Sequence, residues 1–71
     1  MQFTLPTTRL LSQPVPGIIE TADLHELRVE YGGTTWPARI YDASDQPAIL
    51  FPGQVVTIVG LEDSITLLIQ I

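Results

Sequence analysis

A hydrolytic triad needs a nucleophile, an imidazole base and a carboxylate to orient it. The chain holds all three types: His25, the serines Ser12, Ser44 and Ser64, and the aspartates Asp23, Asp42, Asp45 and Asp63. Types alone do not make the chemistry, because a triad is defined by geometry. No serine stands in a G-x-S-x-G elbow, the strained turn that exposes a nucleophilic hydroxyl. His25 reads as a rim residue at the start of a strand. We therefore expect no enzyme, no catalytic residue and no cofactor.

Carboxylates offer a second chemistry. Asp42 and Asp45 flank one turn, and Glu62 and Asp63 flank another. A hard cation takes six or more oxygens from a loop of defined spacing. "DASDQ" has no such spacing, so both pairs read as solvated turn residues and no metal site is expected.

Stacking on bases is the third. The aromatic residues are Phe3, Tyr31, Trp36, Tyr41 and Phe51. A single-strand site sets such rings over a cationic groove. This chain has a net charge of −5, with eight acids, three arginines (Arg9, Arg28, Arg39) and no lysine. Phosphate backbones and anionic headgroups are both repelled by that balance. No nucleic-acid partner is expected.

These residues must be positioned by very little protein. Seventy-one residues make one small domain, which buries only about 60% of its unfolded surface. At 45% hydrophobic and 15% charged it is too apolar for a disordered chain. There is no cysteine, which excludes disulfides and thiolate metal sites. No apolar run approaches the roughly 18 residues of a membrane span, and the start lacks the pattern of a signal peptide. We expect no direct membrane insertion.

Residues 1–14, "MQFTLPTTRLLSQP", read as an extended N-terminal segment in which only "RLL" packs. From Val15 the pattern is period two. Strands are predicted over "VPGIIETA", "LHELRVEY", "TWPARIY", "QVVTIVGL" and "ITLLIQI". "GGT" and "EDS" make two short turns, and "DASDQPAILFPG" is a longer connector opening with an Asx turn. Five strands with a long connection between the third and fourth predict an all-β, five-stranded, OB-like barrel over 15–71. An SH3-like barrel is the nearest competitor.

Within that barrel Leu27, Val29, Trp36, Ile40, Val56, Ile58, Leu67 and Ile69 are the expected core. Trp36 beside Ala38 supplies the alternation of large and small residues that a barrel interior wants. It reads as a plug rather than a ligand platform. Pro37, pointing outward, predicts a bulge or an unpaired stretch. Tyr41, Leu50, Phe51, Val55, Leu61 and Leu68 fall on outer faces. The connector places Ala48, Ile49, Leu50 and Phe51 together between Pro47 and Pro52. Tyr41, Ile49, Leu50 and Phe51 are the candidate partner-binding residues; the alternative is that Ile49 and Leu50 only cap the barrel end.

One family carries several of these features together. A strand ends in Y-G-G at Tyr31–Gly33, and Gly33, Trp36 and Ala38 follow the order G-x-x-W-x-A. Leu50 and Gly53 come next, then Val56, Ile58 and Val59, then the closing "ITLLIQI". On these residues the stretch from about Gly17 to Ile71 resembles the NfeD-like C-terminal domain, a small OB-fold module. The chain departs from that family in having neither membrane-spanning helices nor a Clp-like protease domain. Its last hairpin holds Glu62, Asp63 and Ser64 where a glycine is common. The resemblance implies a non-enzymatic interaction module. It would assist a membrane-associated scaffold protein of the stomatin or flotillin type, or a membrane protease. We also expect a cytoplasmic location, at the membrane surface through a partner or a separate membrane segment, and a monomeric isolated domain. The alternative function is a barrel that binds a small ligand or single-stranded nucleic acid.

Overall fold

Alternating aliphatic and polar residues, many of them β-branched, build five strands. They are β1 (Thr8–Ala22), β2 (Leu27–Tyr31), β3 (Thr34–Ile40), β4 (Val55–Glu62) and β5 (Thr66–Gln70). The computed structural model describes residues 7–23, 25–41 and 49–71. The Asx turn expected at Asp42, and the segment from there through Ala48, lie outside the described residues.

The strands close into a barrel in the order β1-β2-β3-β5-β4, with β4 returning to β1. Every pair is antiparallel except β3 with β5. This is the expected all-β, OB-like barrel. A parallel pair needs a long connection, and the chain from Tyr41 to Ile65, which includes β4, supplies it.

β1 starts earlier than the sequence pattern suggested. Thr8, Arg9 and Leu10 pair with Glu62, Leu61 and Gly60. The segment read as an N-terminal extension therefore enters the barrel from Thr8 onward, and Leu11 packs against the core. The register is irregular between Leu10 and Val15, which places Pro14 where no ladder bond is required. A second shift, between Ile19 and Thr21, bends the strand from its pairing with β4 toward β2. β1 is thus an edge partner to both neighbours, and this closes the sheet.

Its N-terminal end is tied down by a reciprocal pair of hydrogen bonds. The Asp63 amide donates to the Thr7 carbonyl at 2.9 Å, and the Thr7 amide donates to Asp63 Oδ1 at 3.1 Å. Asp63 and Ser64 occupy the left-handed region, at φ 54° and 65°. That conformation costs a non-glycine residue about 1–2 kcal/mol. The β2–β3 turn meets the same demand with Gly32 and Gly33, at φ 66° and 84°.

Ile19, Val29, Val56, Ile58, Leu67 and Ile69 form the buried core. Of the eight residues expected there, Val29, Val56, Ile58, Leu67 and Ile69 are fully buried. Leu27, Trp36 and Ile40 are only half-buried and pack against the cluster from its margins. So short a barrel covers completely only the middle of each strand. Ile19 was not among the expected residues. Leu68, expected on the outer surface, is wholly buried (0% exposed). It faces away from Leu67 and Ile69, in a row with Arg39 and Gly60, and Leu10 reaches into the space where a Gly60 side chain would stand.

Gly17 is a point of close approach inside the barrel. A Cβ there would lie 2.7 Å from Val29 Cγ1 and 2.8 Å from Ile58 Cδ1. Gly17→Val should therefore cost more than the usual 1–3 kcal/mol of overpacking. A chain of this length holds only about 4–11 kcal/mol in total. Gly17→Ala should fall between that variant and the parent in urea unfolding; a Gly17→Val protein with the parent's midpoint would show that the interior has slack. At the β4–β5 turn, Ser64→Gly should raise stability by up to about 1 kcal/mol by removing left-handed strain. Asp63→Gly should gain less, because it also breaks the link to Thr7. Equal gains in thermal melts would mean that the link contributes nothing.

Candidate functional site

The two ends of the barrel differ. At one end lie the β2–β3 and β4–β5 turns and the start of β1; at the other lie the β1–β2 turn, the ends of β3 and β5, and the start of β4. We call these the hairpin end and the loop end.

The expected partner-binding residues belong to the loop end. Phe51, Pro52, Gly53 and Gln54 form a tight turn in which the Gln54 amide donates to the Phe51 carbonyl at 3.1 Å. Gly53 sits at φ 90°, the third-position requirement of a type II turn, and Pro52 presets the second. The Gln54 side chain reinforces the turn by accepting from the Phe51 amide through Oε1 at 3.1 Å. The turn is then pinned to β1. Gly53 donates to the Ile19 carbonyl at 2.7 Å, and Ile19 donates to the Gln54 carbonyl at 2.9 Å.

This scaffold separates Ile49, Leu50 and Phe51. Leu50 packs against the core, so it caps the barrel end. Ile49 and Phe51 project outward, each more than half exposed. Val55 and Ile71 are exposed to a similar degree, and Ile18 is Val55's cross-strand partner. Tyr41 is half-buried; its amide donates to the Ile69 carbonyl at 2.9 Å. The structure thus brings Ile49, Phe51 and Tyr41 to one end, and adds Ile18, Val55 and Ile71.

The hairpin end holds a feature the sequence reading did not single out. A cavity of about 290 Å³ opens into the barrel there. Leu11 and Val15 line it from β1, Tyr31 and Trp36 from β2 and β3, and Leu61 and Leu67 from β4 and β5. Ile58 contributes from the core, and Gln13 and Ser64 complete the lining. Trp36 shares a face with Val29 through their cross-strand pairing. Its Nε1–H donates to the Tyr31 carbonyl at 3.1 Å. The indole is half core and half cavity wall, not the buried plug expected. A signal for the cavity was present in the sequence: Leu11, Gln13, Val15, Gly17 and Ile19 keep period two straight through both prolines.

Pro37 shows no bulge on its β2 side, where it pairs in register with Arg28. On the other edge, pairing with β5 begins only at Ala38, so the unpaired stretch expected at Pro37 is on that side alone.

The candidate chemical groups are dispersed. His25 and Ser64 lie on turns at opposite ends of the barrel. Asp23 Oδ1 accepts from the amides of His25 and Glu26 at 2.7 and 2.8 Å, closing its own turn. Glu62 is ion-paired with Arg39, while Asp63 holds Thr7. Among the described residues no three carboxylates or histidines gather as a metal site; Asp42 and Asp45 lie outside the described residues. No helix among the described residues is long and apolar enough to cross a membrane. Comparison with family models, curated proteins and solved structures finds no match to the chain.

The position of Trp36 sets an energetic expectation. Removing a fully buried Trp costs about 3–5 kcal/mol. Trp36→Ala should cost less, because half of the ring faces the cavity, and less than Ile69→Ala relative to the area removed. Urea unfolding of both variants checks this; an unfolded Trp36→Ala beside a folded Ile69→Ala would restore the plug.

Proposed function

We propose that the chain is a non-enzymatic protein-interaction module that docks a partner through the loop end of its barrel. The observation that carries this reading is Phe51. It is an exposed aromatic side chain on a segment fixed by a type II turn and two bonds to Ile19. A loop ordered before binding loses little entropy on docking. Aromatic anchors dominate interface energies, and Ile49, Val55, Ile18 and Ile71 extend the apolar area around this one. Exposed apolar clusters of this kind mark interaction surfaces.

The NfeD-like resemblance supplies the partner class: a membrane-scaffold protein of the stomatin or flotillin type, or a membrane protease. The net charge of −5 selects a partner with a basic face. In this reading the module would reach a membrane surface through that partner, since its charge disfavours anionic lipid.

A strand-binding barrel is the second reading, and the outer face of β2 and β3 argues against it. That face is where OB barrels take oligonucleotides. Here it carries Arg28, Glu30, Thr35 and Pro37, with no ring on which a base could stack. Arg28 is engaged by Thr35 and by Glu26, and Arg39 by Glu62.

Capture from native membranes, with identification of the bound proteins, tests the proposal. The parent should retain a scaffold or protease, and Phe51→Asp and Ile49→Asp should lose it while keeping the parent's circular dichroism. Folded variants that hold every partner would reduce the loop to a lid. Salt-sensitive binding of mixed single-stranded DNA or RNA at micromolar concentration would instead favour the second reading.

A further inference from the structure

We propose that the cavity at the hairpin end is a binding site for an uncharged small molecule of about two fused rings, with a hydroxyl or amide at its outer end. This site is separate from the loop end, and its fate does not depend on the docking reading.

Size is the first argument. An apolar cavity of about 150 Å³ accepts benzene. This one has about 290 Å³ and opens to the surface, close to the lower limit of about 300 Å³ for small-molecule pockets. Two fused rings, not a nucleotide or a peptide, are what it can enclose.

Chemistry is the second. The wall is aliphatic and aromatic, and among the described residues no charged side chain lines it. A carboxylate or phosphate would lose its hydration without gaining a partner, inside a chain that already carries −5. The polar side chains of the lining are Gln13 and Ser64, both of which are solvent-exposed. They stand where the outer end of a ligand would need a neutral hydrogen-bonding group. Specific small-molecule sites pair an apolar wall with a few placed polar groups in this way.

Preorganisation is the third. Trp36 spends its only donor on the Tyr31 carbonyl, so its indole is held in place and needs nothing polar from a ligand. The turn that carries Ser64 is fixed by the two Thr7–Asp63 hydrogen bonds. A site already shaped this way binds without first ordering its walls.

The full chain, labelled with ¹⁵N, can be titrated with 2-naphthol and separately with 2-naphthoate while amide and indole signals are followed. Trp36 is the only tryptophan, so its indole N–H gives one assignable signal beside the cavity. With 2-naphthol, saturable shifts are expected at that indole and at the amides of Gln13 and Ser64, with naphthoate at least about tenfold weaker. Val15→Phe, which fills the cavity, should weaken naphthol binding by at least about tenfold. Should it fold poorly, Leu61→Phe fills the same space from β4. Phe51→Ser, at the opposite end, should leave naphthol affinity unchanged. The proposal is overturned by the absence of saturable shifts up to the solubility of naphthol, by shifts confined to Phe51 and Val55, by equal affinity for naphthoate, or by undiminished binding to a folded cavity-filled variant.

Discussion

The barrel closes through the space that Gly17 leaves by having no side chain. β1 must reach β4 along one edge and β2 along the other, and Gly17 lies where those two pairings meet. Val29 comes from β2 and Ile58 from β4, and both occupy the volume that any larger residue at Gly17 would claim. In a domain of this size the core is only a few side chains deep. A methyl group at that point acts on the whole interior, because it pushes apart the two strands that β1 joins. The bulge just beyond Gly17, between Ile19 and Thr21, belongs to the same solution: it turns the strand once the closure is made.

From that pinch outward the two ends of the barrel follow different rules. At the loop end the 51–54 turn hydrogen-bonds β1 at Ile19, and Leu50 folds back onto the core. That end is sealed, and its surplus apolar groups face outward. At the hairpin end nothing comparable folds back among the described residues. β1 is irregular between Leu10 and Val15, and β3 is unpaired with β5 before Ala38. The wall is therefore loose on two sides, and the interior opens into the cavity beside Trp36. Ile58 belongs to both regions, since it is core at Gly17 and lining at the cavity.

The strands and their order were legible in the sequence because period-two alternation and turn residues are local signals. β2 to β5 lie within a few residues of their predicted bounds, and the long connection between the third and fourth strands is where it was expected. Burial was less legible. Leu27, Trp36 and Ile40 have the same alternation as Val29 and Ile58 but stand nearer the barrel ends, a distinction no periodicity carries. Leu68 lies on the opposite side of its strand from Leu67 and Ile69 and is nevertheless wholly buried, which alternation along one strand cannot reveal. The β1 extension was hidden by Pro14, which closed the segment read as extended, although the strand tolerates it as it does Pro16. Of the residues proposed for docking, Phe51 and Ile49 were recognisable from their setting between prolines. The additions from Ile18, Val55 and Ile71 needed the topology.

A closed sheet also limits where any binding can occur. Its backbone groups are spent on neighbouring strands, so strand addition, which needs a free edge, is closed along most of the barrel. The outer face of β2 and β3 is polar and partly self-paired through Arg28, Thr35 and Glu26. What remains for recognition is side-chain surface at the ends, and each end offers a different kind. The loop end presents exposed apolar side chains beside a fixed turn, the surface we propose for protein docking. The hairpin end presents a concave apolar space of about 290 Å³, suited to a molecule small enough to be enclosed. Both follow from β1 being long enough to serve two neighbours: its first half leaves the cavity open, and its second half anchors the turn that carries Phe51.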